Sequence, residues 1–279
     1  MFREVSLTTP DRLTLYGWTR EPDAPPRGVI AHVHGMGEHS RRYDHVTAYW
    51  EAQGYASAGF DLRGHGRSEG RRGHTPSYDQ LMDDIAAFLA MVADRWRGLP
   101  LTLYGHSMGG NLVLNYAIRR QPALTRVVAT APYLRLVSPP SAARVRLAGW
   151  LARVVPTVSQ RTGLDAAAVS RDPAVVQRYL ADPLVHDLIT VGFFSEVHPA
   201  GEAAIARAAE LRIPTLVMHG SADRITSPLG SKAFVDRAGA QASLRLWDGS
   251  YHEIHNEPAW ADVTAFVVAW LAASSSGLS

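Results

Sequence analysis

At 279 residues, 46% of them hydrophobic and 19% charged, the chain has enough material for a full-sized core and reads as one globular folding unit with insertions. A formal charge of +2, with arginines in short scattered runs, leaves no basic stripe, so no nucleic-acid partner is expected. The lack of cysteine removes disulfides, thiolate metal sites and a thiol nucleophile together.

The opening Met1-Phe-Arg-Glu-Val brings charge at once and no apolar leader, and no later apolar run is long enough to span a bilayer. A cytoplasmic protein, at most peripheral to a membrane, is the expectation. Val5 to Thr9 and Leu13 to Trp18 alternate around Pro10-Asp11, which predicts an antiparallel hairpin. Short apolar runs then recur at Val29 to Val33, Tyr55 to Phe60, Leu101 to Tyr104 and Val127 to Ala131. Between them lie helical periodicities over Tyr43 to Gln53, Tyr78 to Trp96 and Met108 to Arg120. Parallel strands need crossover connections, so this alternation predicts a parallel sheet with helices on both faces.

The rhythm stops between Pro132 and Leu211, where Val145, Leu147, Ala148 and Leu151, and later Ala174 to Leu180, mark amphipathic stretches. It resumes at Thr215 to Met218 and Leu244 to Trp247, with helices over Leu229 to Ala238 and Trp260 to Leu271; Ser274 to Ser279 reads as a frayed end. The expected architecture is therefore α/β: a mostly parallel eight-stranded core from residues 1–131 and 212–279, with a helical cap over residues 132–211. The cap would cover the carboxyl edge of the sheet, where open α/β sheets bind ligands, as a lid or simply as a covering layer.

Gly105-His106-Ser107-Met108-Gly109 joins a buried strand to a helix. The G-x-S-x-G turn is so tight that small residues must flank the serine, whose oxygen is then held exposed above the sheet. A serine hydroxyl needs a base, and the base an orienting acid, in the chain order Ser, acid, His for this turn. His252, in the loop after the last predicted strand, is the expected base. Asp223, just beyond Thr215 to Met218, is the expected acid; its rival Asp248 shares the loop of His252 and fits a turn cap better. The tetrahedral intermediate needs two backbone donors, expected at the amides of Met108 and of Met36 in His34-Gly-Met-Gly.

Taken together these motifs resemble the monoacylglycerol lipase and lysophospholipase-like serine hydrolases of the α/β-hydrolase fold. The likeness runs through His34-Gly-Met-Gly-Glu-His-Ser40 with Arg42-Tyr43, Asp61-Leu-Arg-Gly-His-Gly-Arg-Ser-Glu-Gly70, Gly105-His-Ser-Met-Gly-Gly110, Asp182-Pro-Leu-Val-His186, His219-Gly-Ser-Ala-Asp223 and Tyr251-His-Glu-Ile-His-Asn-Glu257. It implies hydrolysis of glycerol monoesters of fatty acids through an acyl-enzyme, without a cofactor. It further implies that Glu38, Arg42 and His255 line a polar end for the alcohol, and that the insertion forms an apolar acyl channel. Phe193 and Phe194 fit a wall of that channel, with core packing as their other reading. Transient contact of the cap with a membrane surface goes with a lipid ester substrate.

A broader carboxylesterase or a lysophospholipase remains the alternative, and a non-catalytic binding module on this fold a more distant one. His252-Glu253-x-His255 is one residue short of the zinc-protease spacing, and no third ligand joins His32 and His34, so no metal is expected.

Overall fold

The computed structural model describes residues 1–273; the ending expected to fray, residues 274–279, lies outside the described residues. Ten strands follow in chain order: β1 (Phe2–Thr8), β2 (Thr14–Arg20), β3 (Val29–Val33), β4 (Ala56–Phe60), β5 (Leu101–His106), β6 (Arg126–Thr130), β7 (Ser159–Arg161), β8 (Leu188–Thr190), β9 (Thr215–Gly220) and β10 (Ala242–Trp247). The helices are α1 (Asp44–Ala52), α2 (Tyr78–Arg95), α3 (Met108–Arg120), α4 (Ala142–Val154), α5 (Pro173–Ala181), α6 (Val191–Arg207), α7 (Pro228–Ala238) and α8 (Trp260–Ala273).

Eight strands make one sheet in the order β1-β2-β4-β3-β5-β6-β9-β10, and the short pair β7 and β8 stands apart. The opening hairpin is antiparallel and β2 runs antiparallel to β4, whereas every pairing from β4 to β10 is parallel. Side chains of a strand alternate between faces, and each face here meets its own helices. Val29, Ala31 and Val33 join a cluster with Ile85 and Phe88 of α2, Leu112 and Val113 of α3 and Phe234 of α7. Ile30 points the other way, to Val46 and Trp50 of α1 and Val263 and Val267 of α8.

The stretch Asp61 to Gly70 braces the loop after β4. Asp61 accepts the Ser40 amide at 2.8 Å and hydroxyl at 2.6 Å and, through its other oxygen, the Arg67 amide at 2.8 Å. Arg63 reaches Asp84 of α2 at 2.6 Å and Asp11 of the first hairpin at 2.8 Å. A buried guanidinium is tolerable because two carboxylates meet its planar fork of donors.

Between β6 and β9 the chain forms α4, β7, α5, β8 and α6. Helix α6 joins the main core through Phe193, Val197, Ala204 and Ile205. Asn115 of α3 donates to the Ala200 carbonyl at 3.1 Å. Gly201 lies so close to Leu134 that a Cβ would sit 2.2 Å from its carbonyl oxygen. Helix α4 differs: it buries none of its residues, and Leu147, Trp150 and Val154 are exposed.

Candidate active site

Strand β5 ends at His106 and α3 begins at Met108, so one residue must turn the chain. Ser107 does so at φ 54° and ψ −116°, a left-handed conformation that costs a residue with a side chain of order 1–3 kcal/mol. Surrounding structure holds it there: its amide donates to the Thr130 carbonyl at 2.9 Å, and its own carbonyl accepts the amides of Asn111 at 3.0 Å and Tyr133 at 2.8 Å. The flanking glycines are a packing requirement. A Cβ on Gly105 would stand 2.4 Å from the Gly109 carbonyl oxygen, and one on Gly109 would stand 2.2 Å from that of Val33.

Above this turn the loops after β9 and β10 converge. His252 Nε2 lies 2.9 Å from Ser107 Oγ, and its Nδ1 lies 2.7 Å from Asp223 Oδ2. The carboxylate fixes the tautomer: Nδ1 carries the proton toward Asp223, leaving Nε2 to accept from the serine. Asp223 is itself anchored, its Oδ1 accepting the Ile225 amide at 2.7 Å and the Thr226 amide at 3.1 Å. The Thr226 hydroxyl and His219 Nε2 both lie 3.0 Å from Oδ2. Asp248, the rival acid, instead accepts from the Ser221 hydroxyl at 3.1 Å on the surface.

Burial works against charge on both partners. At Asp223 the His252 and His219 imidazoles and their hydrogen bonds outweigh it and hold the carboxyl far below its usual range. At His252 burial pushes the imidazole down, but the charge and hydrogen bond of Asp223, helped by Glu253 and Glu38, prevail and raise it above 6.5. The neighbouring His106 has no such partner, and burial lowers it to about 3.

The amides of Met36 and Met108 face no protein acceptor among the described residues. Their loops border the serine, since a Cβ on Gly35 would lie 3.2 Å from Ser107 Cβ. A chamber of about 30 Å³ opens here, lined by Met36, Glu38, His106, Ser107, His252 and Glu253 and, from the inserted segment, by Leu164, Val169 and Tyr179. That is room for a water molecule and not for an acyl chain. A larger cleft of about 630 Å³, lined by His39, Arg42, Arg178 and Asp182 among others, contains neither Ser107 nor His252.

The other residues expected at the site are placed unevenly. Glu38 lines the chamber. Arg42 lines the larger cleft and is held by two carboxylates, Glu38 and Glu253, each at 2.7 Å. His255 is fully buried, stacked on Tyr43 with ring centres 4.5 Å apart, and lines neither space. Phe193 is also fully buried, its ring committed to the core, so it walls no channel. Phe194 is partly buried and stacks on His198 at 5.0 Å.

Sequence reasoning gave no role to His219 or Thr226, the side chains that hold Asp223 with His252, nor to His106 and Tyr179 in the chamber wall. His219 does open the motif His219-Gly-Ser-Ala-Asp223, four residues before the acid. Tyr179 comes from the insertion, which offers no motif to find it by.

The serine aminopeptidase S33 family model matches residues 24–259. A monoacylglycerol lipase of Mycolicibacterium smegmatis is 38% identical over 91% of this chain and 90% of its own length. An uncharacterised abhydrolase domain-containing protein of Dictyostelium discoideum is 34% identical over 95% of this chain, which spans 28% of that relative's length. Among solved structures, the monoacylglycerol lipase of Paleococcus ferrophilus superposes with a TM-score of 0.85 at 36% identity, covering 92% of this chain and 98% of its own.

Proposed function

The chain belongs to the serine aminopeptidase S33 family, as a serine hydrolase of the α/β-hydrolase fold acting on esters, and we propose that it cleaves monoacylglycerols through Ser107, His252 and Asp223. The observation that carries this is the unbroken line from Ser107 Oγ to His252 at 2.9 Å and on to Asp223 at 2.7 Å, beside two unengaged amides. In this reading His252 takes the serine proton as Ser107 attacks the ester carbonyl, and Asp223 stabilises the imidazolium. The amides of Met36 and Met108 receive the oxyanion, and His252 then protonates the leaving alcohol. Water repeats the attack on the acyl-enzyme through the same groups.

The wall chemistry supports an ester over a peptide amino terminus. An ammonium group would need an unspent carboxylate, and the two acids lining the chamber, Glu38 and Glu253, are both paired with Arg42. Leu164, Val169 and Tyr179 offer apolar surface suited to an acyl chain. The inserted segment that carries these three residues covers the chamber in this reading, as a lid would. Contact with a lipid surface is supported by α4, which exposes Leu147, Trp150 and Val154 and carries Arg144, Arg146 and Arg153. Among the described residues no helix is long and apolar enough to cross a membrane.

A turnover profile over mono-, di- and triacylglycerols of one acyl chain and short aryl esters tests the substrate. A marked preference for the monoacyl class over di- and triacylglycerols is expected; faster cleavage of triacylglycerol would overturn the assignment.

A further inference from the structure

The family resemblance would give Glu38 to the alcohol end of the substrate, but the contacts of its carboxylate describe a different task. Glu38 is 3% exposed. Its Oε1 accepts the Gly35 amide at 2.7 Å and the Tyr43 hydroxyl at 2.9 Å, and its Oε2 accepts Arg42 Nη1 at 2.7 Å. Little hydrogen-bonding capacity is left for a substrate hydroxyl.

The Gly35 amide matters because the oxyanion donor, the Met36 N–H, is the next amide along the chain. The peptide units on either side of Gly35 are the last two up to and including that N–H, and each is pinned once. Glu38 holds the N–H of the first. The carbonyl of the second lies 2.8 Å from His34 Nδ1. His34 Nε2 accepts the Leu62 amide at 2.9 Å, so Nδ1 is the protonated nitrogen and donates to that carbonyl. With no cis peptide bond among the described residues, the Gly35 carbonyl and the Met36 N–H point in opposite directions across one plane. Fixing the two units therefore aims the Met36 N–H.

We infer that Glu38 is a positioning residue for the oxyanion donor, holding the Gly35 amide so that the Met36 N–H faces the oxygen of the tetrahedral intermediate. Arg42 extends the device. It bridges Glu38 to Glu253, the residue after His252, through contacts of 2.7 Å to Glu38 and of 2.7 and 2.8 Å to Glu253. The donor loop and the base loop are thus set against each other by one guanidinium. A group that acts this way contributes in the transition state and not to ground-state binding, so it governs kcat more than KM.

The inference rests on the serine mechanism proposed above, and the test separates the two. Glu38→Ala and Glu38→Gln are assayed on a monoacylglycerol and on the p-nitrophenyl ester of the same acid, which has no glycerol, with Ser107→Ala and a melting temperature for each variant. Glu38→Ala is expected to lower kcat on both substrates alike, by about 10²-fold, the scale of one lost oxyanion donor, with KM little changed. Glu38→Gln keeps an acceptor oxygen for Gly35 and is expected to recover much of that loss. If Glu38→Ala does not fold, Glu38→Gln carries the same comparison with a smaller but equal fall on both substrates. A loss confined to the monoacylglycerol, or one expressed in KM, would overturn the inference and return Glu38 to the alcohol. Retained activity in Ser107→Ala would strike the serine mechanism itself, whatever Glu38 does.

Discussion

Ser107 holds a backbone conformation that residues with side chains rarely adopt, and neighbours keep it there. Its left-handed backbone is tolerated because Gly105 and Gly109 leave space and because Thr130, Asn111 and Tyr133 fix its peptide groups. At this scale the electrostatics make a signed prediction. The base must be neutral to accept the serine proton, and His252 is raised above 6.5, so the acid limb of kcat/KM should have its midpoint above that value. Asp223→Asn removes the charge that raises it, so the limb should move to lower pH while kcat falls by about 10⁴-fold. A wild-type midpoint below 6.5 would contradict this balance of burial and charge. Met36→Ala, which keeps the amide, should leave kcat within a few-fold, measured on a p-nitrophenyl ester. The positions that the structure brings together, Ser107, His252, Asp223 and the Met36 loop, were marked in the sequence because each lies just beyond a strand end. The burial and pairing of Arg42 and His255 were not, because both depend on elements more than 200 residues apart in the chain, as the Arg42 to Glu253 contact shows.

Among the elements, β3 to β6, β9 and β10 were legible from short apolar runs, β1 and β2 from alternation, and helices α1, α2, α3, α7 and α8 from their period; β7 and β8, three residues each, were not. Helix α6 escaped detection because Pro199 and Gly201 interrupt the pattern, although Phe193, Val197, Ala204 and Ile205 keep a helical spacing beneath them. Pro199 lacks a backbone N–H and normally ends a helix; here packing against α3 and the main core outweighs that local cost. The placement of Phe193 changes what its substitution should do. Phe193→Ala should cost about 3–5 kcal/mol of stability by chemical denaturation, the range for emptying a buried aromatic site, with acyl-chain preference unchanged. A shift in chain-length preference without loss of stability would restore the ring to the channel. For α4, Leu147→Asp with Trp150→Asp should slow turnover of monoacylglycerol presented in vesicles and leave a soluble short-chain ester unaffected. Equal slowing of both would mean that the helix shapes the site and does not meet the lipid surface.

At the scale of the whole molecule, an eight-stranded sheet carries Ser107, and an inserted segment brings Leu164, Val169 and Tyr179 to the chamber beside it. The mostly parallel sheet with helices on both faces followed from the alternation of strands and helices, since parallel neighbours need crossover connections; the strand order β1-β2-β4-β3-β5-β6-β9-β10 did not. In the inserted segment the sequence marked the stretches that form α4 and α5 and the run Asp182-Pro-Leu-Val-His186, but not the pairing of β7 with β8, and its chamber-lining Leu164, Val169 and Tyr179 carry no motif. Such contacts come from how one chain segment drapes over another, and local periodicity holds no record of that.

The claim on which the rest depends is that Ser107 attacks the ester, and turnover of a monoacylglycerol by the wild type and by Ser107→Ala, both shown to be folded, tests it most directly. Fatty-acid release should fall by about 10⁴-fold or more in the variant, the scale set by removing a nucleophile of this kind. Release at a rate near that of the wild type would contradict the account.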